Sequence, residues 1–152
     1  MRAGISTGAR VSSPEGRVTQ AITEYLAAVQ ADPSYFEAYY NLGLAAMTGG
    51  HLQRALSAYE RALSIKPTDI NARFNFALAL QKSGHARDAS NELETLLAAE
   101  PEEIRAHLAL ANIYAQELAQ PVRARPHYLK VLEAQPRHSQ AAAIQQWLNS
   151  HP

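Results

Sequence analysis

Residues 34–67 read SYFEAYYNLGLAAMTGGHLQRALSAYERALSIKP, and the pattern in this stretch decides the fold. Phe36, Tyr39, Leu42, Gly43 and Ala46 recur at helical spacing. Gly49-Gly50 then interrupts the run, after which Leu52, Ala55, Leu56, Tyr59, Ala62 and Leu63 recur at helical spacing again. Pro67 lacks an amide donor and clashes with the preceding turn, so it stops the second run. The stretch predicts a helix, a tight turn and a second helix.

The same unit repeats outward from this stretch. Pro33, Pro67 and Pro101 are spaced by 34 residues, and Pro136 follows after 35, which marks a one-residue insertion. A shift of one repeat gives Ile70, Arg73, Phe76, Ala77 and Leu80, the break at Gly84, then Ala86, Ala89, Leu93, Leu96 and Leu97. A further shift gives Ile104, His107, Leu110, Ala111 and Tyr114, with Ala124, Tyr128, Val131 and Leu132 beyond the insertion. Gly43, Ala77 and Ala111 share one repeat position, and Ala55, Ala89 and Ala124 share another. Helix axes about 8–10 Å apart need small residues on one side of each contact, and Leu42, Phe76, Leu110, Tyr59, Leu93 and Tyr128 supply the large ones. Ala and Leu dominate the apolar fraction while β-branched residues are sparse, which predicts an all-α chain.

The ends depart from the pattern. Residues 15–33 form a half repeat, with Gly16, Ala21, Tyr25, Ala28 and Pro33 in register. Residues 1–14 hold Gly4, Gly8 and Pro14 and no periodic Leu, so they are expected to be disordered or irregular. This half repeat suggests a piece of a longer protein and leaves Val18, Ile22 and Tyr25 without a covering helix, so self-association, including a homodimer, is expected through that edge. Full repeats follow at 34–67, 68–101 and 102–136. In the last of them Glu117-Leu118-Ala119-Gln120-Pro121 replaces the glycine turn, and a kink or late helix start is expected near Pro126. Residues 138–149 read as a capping helix, with Ala141, Ile144 and Leu148 on one face and Trp147 at its boundary.

Tyr39-Tyr40-Asn41-Leu42-Gly43, followed by Ala55, Tyr59, Ala62 and Pro67, resembles the tetratricopeptide repeat family, and the resemblance covers about residues 15–149 as one domain. It implies a right-handed α-solenoid of stacked antiparallel helix pairs whose first helices line a concave groove. The residues it points inward include Tyr40, Asn41, Leu44 and Met47 on one repeat, Asn71, Phe74, Asn75 and Leu78 on the next, and Arg105, Leu108 and Asn112 on the third. Tyr40, Leu44, Met47, Phe74, Leu78 and Leu108 would form an apolar stripe suited to an amphipathic helix or an extended peptide. Asn41 and Asn75 share one repeat position, similar to the Asn ladder of sugar-transferase superhelices, although Ala109 interrupts it. The chaperone-type carboxylate clamp fits poorly: Asn75 and Arg105 match, whereas Tyr40, Leu44 and Ala109 replace its other members.

Composition narrows the function further. The 152 residues carry 14 basic and 14 acidic side chains, so no cationic footprint for nucleic acid or an anionic membrane exists. There is no Cys, no apolar run long enough for a membrane helix, and no secretory signal pattern, which makes the cytoplasm the default compartment. His51 and His85 occupy one repeat position too far apart to share a metal, and His107, His127, His138 and His151 show no ligand spacing. No phosphate loop, nucleophile elbow or dinucleotide fingerprint occurs. Glu102-Glu103 starts a helix, where the dipole favours it. The expectation is a non-enzymatic adaptor, without metal or cofactor, that binds a peptide or helix with apolar side chains. The alternatives are an accessory region of a larger enzyme, such as a glycosyltransferase, and a self-association module.

Overall fold

The computed structural model describes residues 13–152. These residues form helices and no strand: α1 Pro14–Ala31, α2 Phe36–Thr48, α3 Leu52–Ile65, α4 Ile70–Lys82, α5 Ala86–Ala99, α6 Ile104–Asn112, α7 Pro121–Ala134 and α8 Ala141–Ser150. A π-helical segment, Ile113–Glu117, continues α6. The residues expected to be irregular lie outside the described part, except Ser13 and Pro14. Ser13 accepts from the Gly16 amide at 3.0 Å and Pro14 takes the first helical position, so this pair opens α1.

Each second helix ends in the same way. Asp32, Lys66, Glu100 and Gln135 precede the repeated prolines and sit outside α geometry, with φ between −126° and −139°. The ring of a following proline disfavours α geometry at this residue, so the helix stops there. Tight turns close the pairs through Gly50 at φ 76° and Gly84 at φ 86°, values that only glycine adopts without strain.

The chain divides into two compact units, one ending at Ser83 and the other starting at Gly84. In the first, α1 packs on α2, α2 on α3 and α3 on α4. Phe36, Tyr39, Ala62 and Ala72 form one buried cluster, and Ile22, Leu42 and Ala58 form another. Gly43 lets α3 approach α2: a Cβ at this residue would lie 2.5 Å from the Tyr59 ring. In α4, Phe76 is only partly buried. In the second unit α5 packs on α6, α6 on α7 and α7 on α8, around fully buried Leu93, Leu110, Ile113 and Val131.

Two expectations are corrected here. Val18, Ile22 and Tyr25 are not an uncovered edge. Ile22 is buried against Leu42 and Ala58, and Val18 and Tyr25 pack on the same cluster. Val18 also fits closely over Gly49, where a Cβ would meet its Cγ1 at 2.8 Å. The apolar face of α1 packs on α2, with Val18 and Tyr25 partly buried. The second correction concerns Pro126: α7 begins at Pro121 and runs through Pro126 without a late start. Pro126 is exposed and the preceding turn carries Val122, itself 85% exposed, so water can satisfy the carbonyl that loses its helical partner. The inserted residue is absorbed upstream, in the π segment, and Ala119 takes φ 52° where the other repeats use glycine.

Tyr59 is fully buried, and its hydroxyl finds no hydrogen-bond partner among the described residues. Burial drives the pKa of that phenol well above its ordinary value. A buried polar group without a partner destabilises the fold. Tyr59→Phe removes the orphan oxygen and keeps the ring, so it is expected to stabilise the protein by about 1 kcal/mol in urea unfolding.

Candidate functional site

In the first unit the residues assigned to the inner face lie on α2 and α4. Leu44 is 38% exposed, and Met47, Phe74 and Leu78 are half-buried. The spacing of Leu44 to Met47 and of Phe74 to Leu78 places each pair on one helical face. Leu44, Met47 and Leu78 lie outside the two clusters described above. Asn41 is half-buried beside them and Asn71 is exposed. At the other end of α2, Glu37 pairs with Lys66 at 3.6 Å, and the Lys66 ammonium sits 4.6 Å from the centre of the Phe36 ring.

Tyr40 and Asn75 behave differently from the ligand contacts the sequence suggested. The Tyr40 ring stacks on Phe36 at 6.0 Å and meets Tyr59 edge-on at 6.2 Å. Its hydroxyl accepts a hydrogen bond from Asn75 Nδ2 at 3.0 Å. Tyr40 therefore belongs in part to the core, and the Asn75 amide ties α4 to α2. Asn41 and Asn75 share a repeat position yet differ in role.

In the second unit Arg105, Leu108 and Asn112 follow one another along α6. Arg105 is committed to Glu103 through two contacts, Nε to Oε1 at 2.8 Å and Nη2 to Oε2 at 3.3 Å. Those hydrogen bonds hold the Glu103 carboxyl below its ordinary range. A ligand carboxylate would compete with Glu103 for this guanidinium, whose side chain is half exposed. Leu108 is half-buried and, with Arg105, Gln135 and His138, borders a cleft of about 380 Å³. Asn112 Oδ1 accepts from the Tyr128 hydroxyl at 2.6 Å.

The structure also joins two histidines that spacing did not connect. His107 Nε2 donates to the Pro101 carbonyl at 2.7 Å, so its Nδ1 is the acceptor for His127 Nδ1 at 2.9 Å. His127 Nε2 is then unprotonated and lies 3.6 Å from Glu94. Burial first, then His107 and Arg123, press the His127 pKa down to about 4. Among the described residues no three His, Asp or Glu side chains converge as a metal site, and no helix is long and apolar enough to cross a membrane.

This pair gives the protein an acid sensitivity with a defined sign. Unfolded His127 takes a proton near its ordinary value of about 6.5, whereas the folded side chain does so only near 4. Between those values the unfolded state binds more protons, so stability falls as pH drops through this window. His127→Gln keeps a donor for His107 and does not titrate. Its urea midpoint is expected to change much less than that of the wild type between about pH 7 and about pH 5. Glu103, held below its ordinary range by Arg105, is common to both proteins and does not separate them.

Two tetratricopeptide repeat family models match the sequence, one over residues 15–70 and one over residues 46–113, so together they span well over half of the chain. Solved structures with the same fold include MamA, at 24% identity and a TM-score of 0.72, covering 81% of this chain and 67% of MamA. A MamA from Desulfovibrio magneticus RS-1 gives 22% identity and a TM-score of 0.74, covering 82% of this chain and 70% of that one. The Arabidopsis OM64 TPR domain gives 19% and 0.70, covering 77% of this chain and 96% of that domain. No curated protein matches the sequence.

Proposed function

Because the chain belongs to the tetratricopeptide repeat family, we propose that it binds a peptide or helical segment of a partner protein on the inner faces of its first helices. Repeats of this family are generally interaction scaffolds and not catalysts. Within that role, this chain acts as an adaptor with no chemistry of its own. The observation that supports the reading most is the apolar surface of α2 and α4. Leu44 is 38% exposed, and Met47, Phe74 and Leu78 are half-buried. Full burial of one such side chain is worth about 1.5–3 kcal/mol before ordering costs are subtracted. Polar Asn41 and Asn71 border these residues in sequence and orient a main chain that crosses them.

The test is a comparison of wild type with a Leu44→Ser, Phe74→Ser, Leu78→Ser variant as baits in the lysate of the source cell. Tyr40 stays intact because it packs on Phe36. Proteins recovered by the wild type are expected to be lost from the variant while its helical circular dichroism is retained. Equal recovery from both baits contradicts the assignment.

A further inference from the structure

The second helices of the repeats, α3, α5 and α7, have equivalent positions, because Ala55, Ala89 and Ala124 share one place in the repeat. Three such positions face solvent in each helix. In α3 they hold Gln53, Ser57 and Glu60, and in α5 they hold Arg87, Asn91 and Glu94, all of them polar and exposed. In α7 the same positions hold Val122, Pro126 and Leu129, also exposed. Val122 is 85% and Leu129 45% exposed, and among the described residues Tyr35 and Leu44 are the other exposed large apolar side chains. Spacings of four and seven residues set the three in one row along α7. Single apolar residues on a surface are ordinary, but a row that replaces polar residues at the solvent positions of both earlier helices marks a contact surface.

Beside the row lies a cavity of about 260 Å³ lined by Pro121, Val122, Arg125, His151 and Pro152. Arg125 is oriented from one side: its Nη1 donates to the Leu148 carbonyl at 3.1 Å and to the His151 carbonyl at 2.8 Å, at the end of α8. These bonds fix the guanidinium without neutralising it, and among the described residues no carboxylate pairs with it. Arg123 and Lys130 are engaged already, with Glu94 at 3.9 Å and Glu102 at 3.2 Å. Arg125 is therefore a pre-oriented cation at the edge of an apolar row. The local charge agrees: residues 118–152 hold four basic side chains, Arg123, Arg125, Lys130 and Arg137, against one acidic, Glu133, while the whole chain is balanced.

We propose that this face of α7 docks an acidic amphipathic helix of a partner protein, which packs its apolar stripe on Val122, Pro126 and Leu129 and brings a carboxylate to Arg125. It is a second surface, on a second helix of a pair, and does not depend on the apolar face of α2 and α4. The row spans about 10 Å, two helical turns, the length over which a ridge of one helix fits the surface of another. A second copy of this chain is disfavoured, because symmetric pairing through the row sets the two Arg125 cations against each other. An anionic membrane is disfavoured because exposed Glu133 continues the row one turn beyond Leu129.

The test titrates the full chain, by fluorescence anisotropy, into a labelled helical peptide with leucines at i, i+4 and i+7 and glutamates on both flanks. A peptide with lysines in place of the glutamates is the control. Saturable binding of the glutamate peptide, well above that of the lysine peptide, is expected. Val122→Ser with Leu129→Ser, both at exposed positions, weakens it by about tenfold or more. Arg125→Gln weakens it by about fivefold and flattens its salt dependence. Arg125 also holds the end of α8, so Val122→Glu serves as a second electrostatic probe: it weakens the glutamate peptide and strengthens the lysine peptide. The Leu44→Ser, Phe74→Ser, Leu78→Ser variant is expected to bind the glutamate peptide as the wild type does, which separates failure of this face from failure of the first-unit assignment. No binding, equal binding of both peptides, or unaltered affinity in the Val122, Leu129 variant overturns the proposal. So does concentration-dependent mass in sedimentation that this variant abolishes, which gives the row to a second copy, or pelleting with phosphatidylserine vesicles that it abolishes, which gives the row to a membrane.

Discussion

Gly43→Ala is expected to cost about 3 kcal/mol in urea unfolding, against the roughly 1 kcal/mol gain that Ala normally brings to a helix interior. The reversal comes from space. A Cβ at Gly43 would lie 2.5 Å from Tyr59 Cε1 and 2.7 Å from Cζ. Tyr59 cannot step aside, because it is fully buried and Tyr40 meets its ring edge-on at 6.2 Å. Either α2 and α3 separate or the ring leaves its rotamer, and both disturb the cluster around Leu42 and Ala58. Tyr59→Leu shortens the side chain, so Gly43→Ala in that background should cost clearly less than it does alone. A double-mutant cycle reads this as a coupling of about 1–3 kcal/mol. Additive costs would mean that the approach of α2 to α3 does not depend on this contact.

The second large effect belongs to Leu93 in α5. Its side chain is fully buried, as are those of Leu110, Ile113 and Val131 in the same unit. Leu93→Ala leaves a cavity that such a core fills only in part, at a cost of about 2–5 kcal/mol. That is a large share of the roughly 5–15 kcal/mol that holds a domain folded. Trp147 lies in α8 of this unit, so its fluorescence reports the loss directly as a lowered denaturant midpoint. A shift smaller than about 1 kcal/mol would show that the second unit is not organised around Leu93.

The helices were legible in the sequence because their stop signals are chemical. Pro33, Pro67, Pro101 and Pro136 each force the preceding residue out of α geometry, and all four second helices end there. The predicted core of residues 34–67 was legible for a related reason. Phe36, Tyr39, Leu42, Gly43, Ala46, Ala55, Leu56, Tyr59 and Ala62 are all buried, whereas Leu52 and Leu63 are only partly so. Side-chain partnerships were not legible. Asn41 and Asn75 look equivalent in a repeat alignment, but only Asn75 is bonded to Tyr40, which sits 35 residues earlier in the neighbouring helix. His107 and His127, 20 residues apart, carry no recognisable ligand motif, yet their Nδ1 atoms lie 2.9 Å apart. Pro126 misled the boundary of α7 because its local preference is weaker than the packing of Ala124, Tyr128 and Val131 along the same helix. The apolar face of α1 misled in a similar way: periodicity shows that a face is apolar, not which neighbour covers it.

The central claim is that the apolar surface of α2 and α4 is a binding surface. The most direct measurement is a selection from a random peptide library on the wild-type chain, with each enriched peptide then titrated against wild type and the Leu44→Ser, Phe74→Ser, Leu78→Ser variant. The account predicts enriched peptides with recurring apolar side chains, at least tenfold weaker on the variant, since losing burial of even one such side chain exceeds about 1.4 kcal/mol. Peptides that bind both proteins equally, or a selection dominated by acidic C-termini, would contradict it.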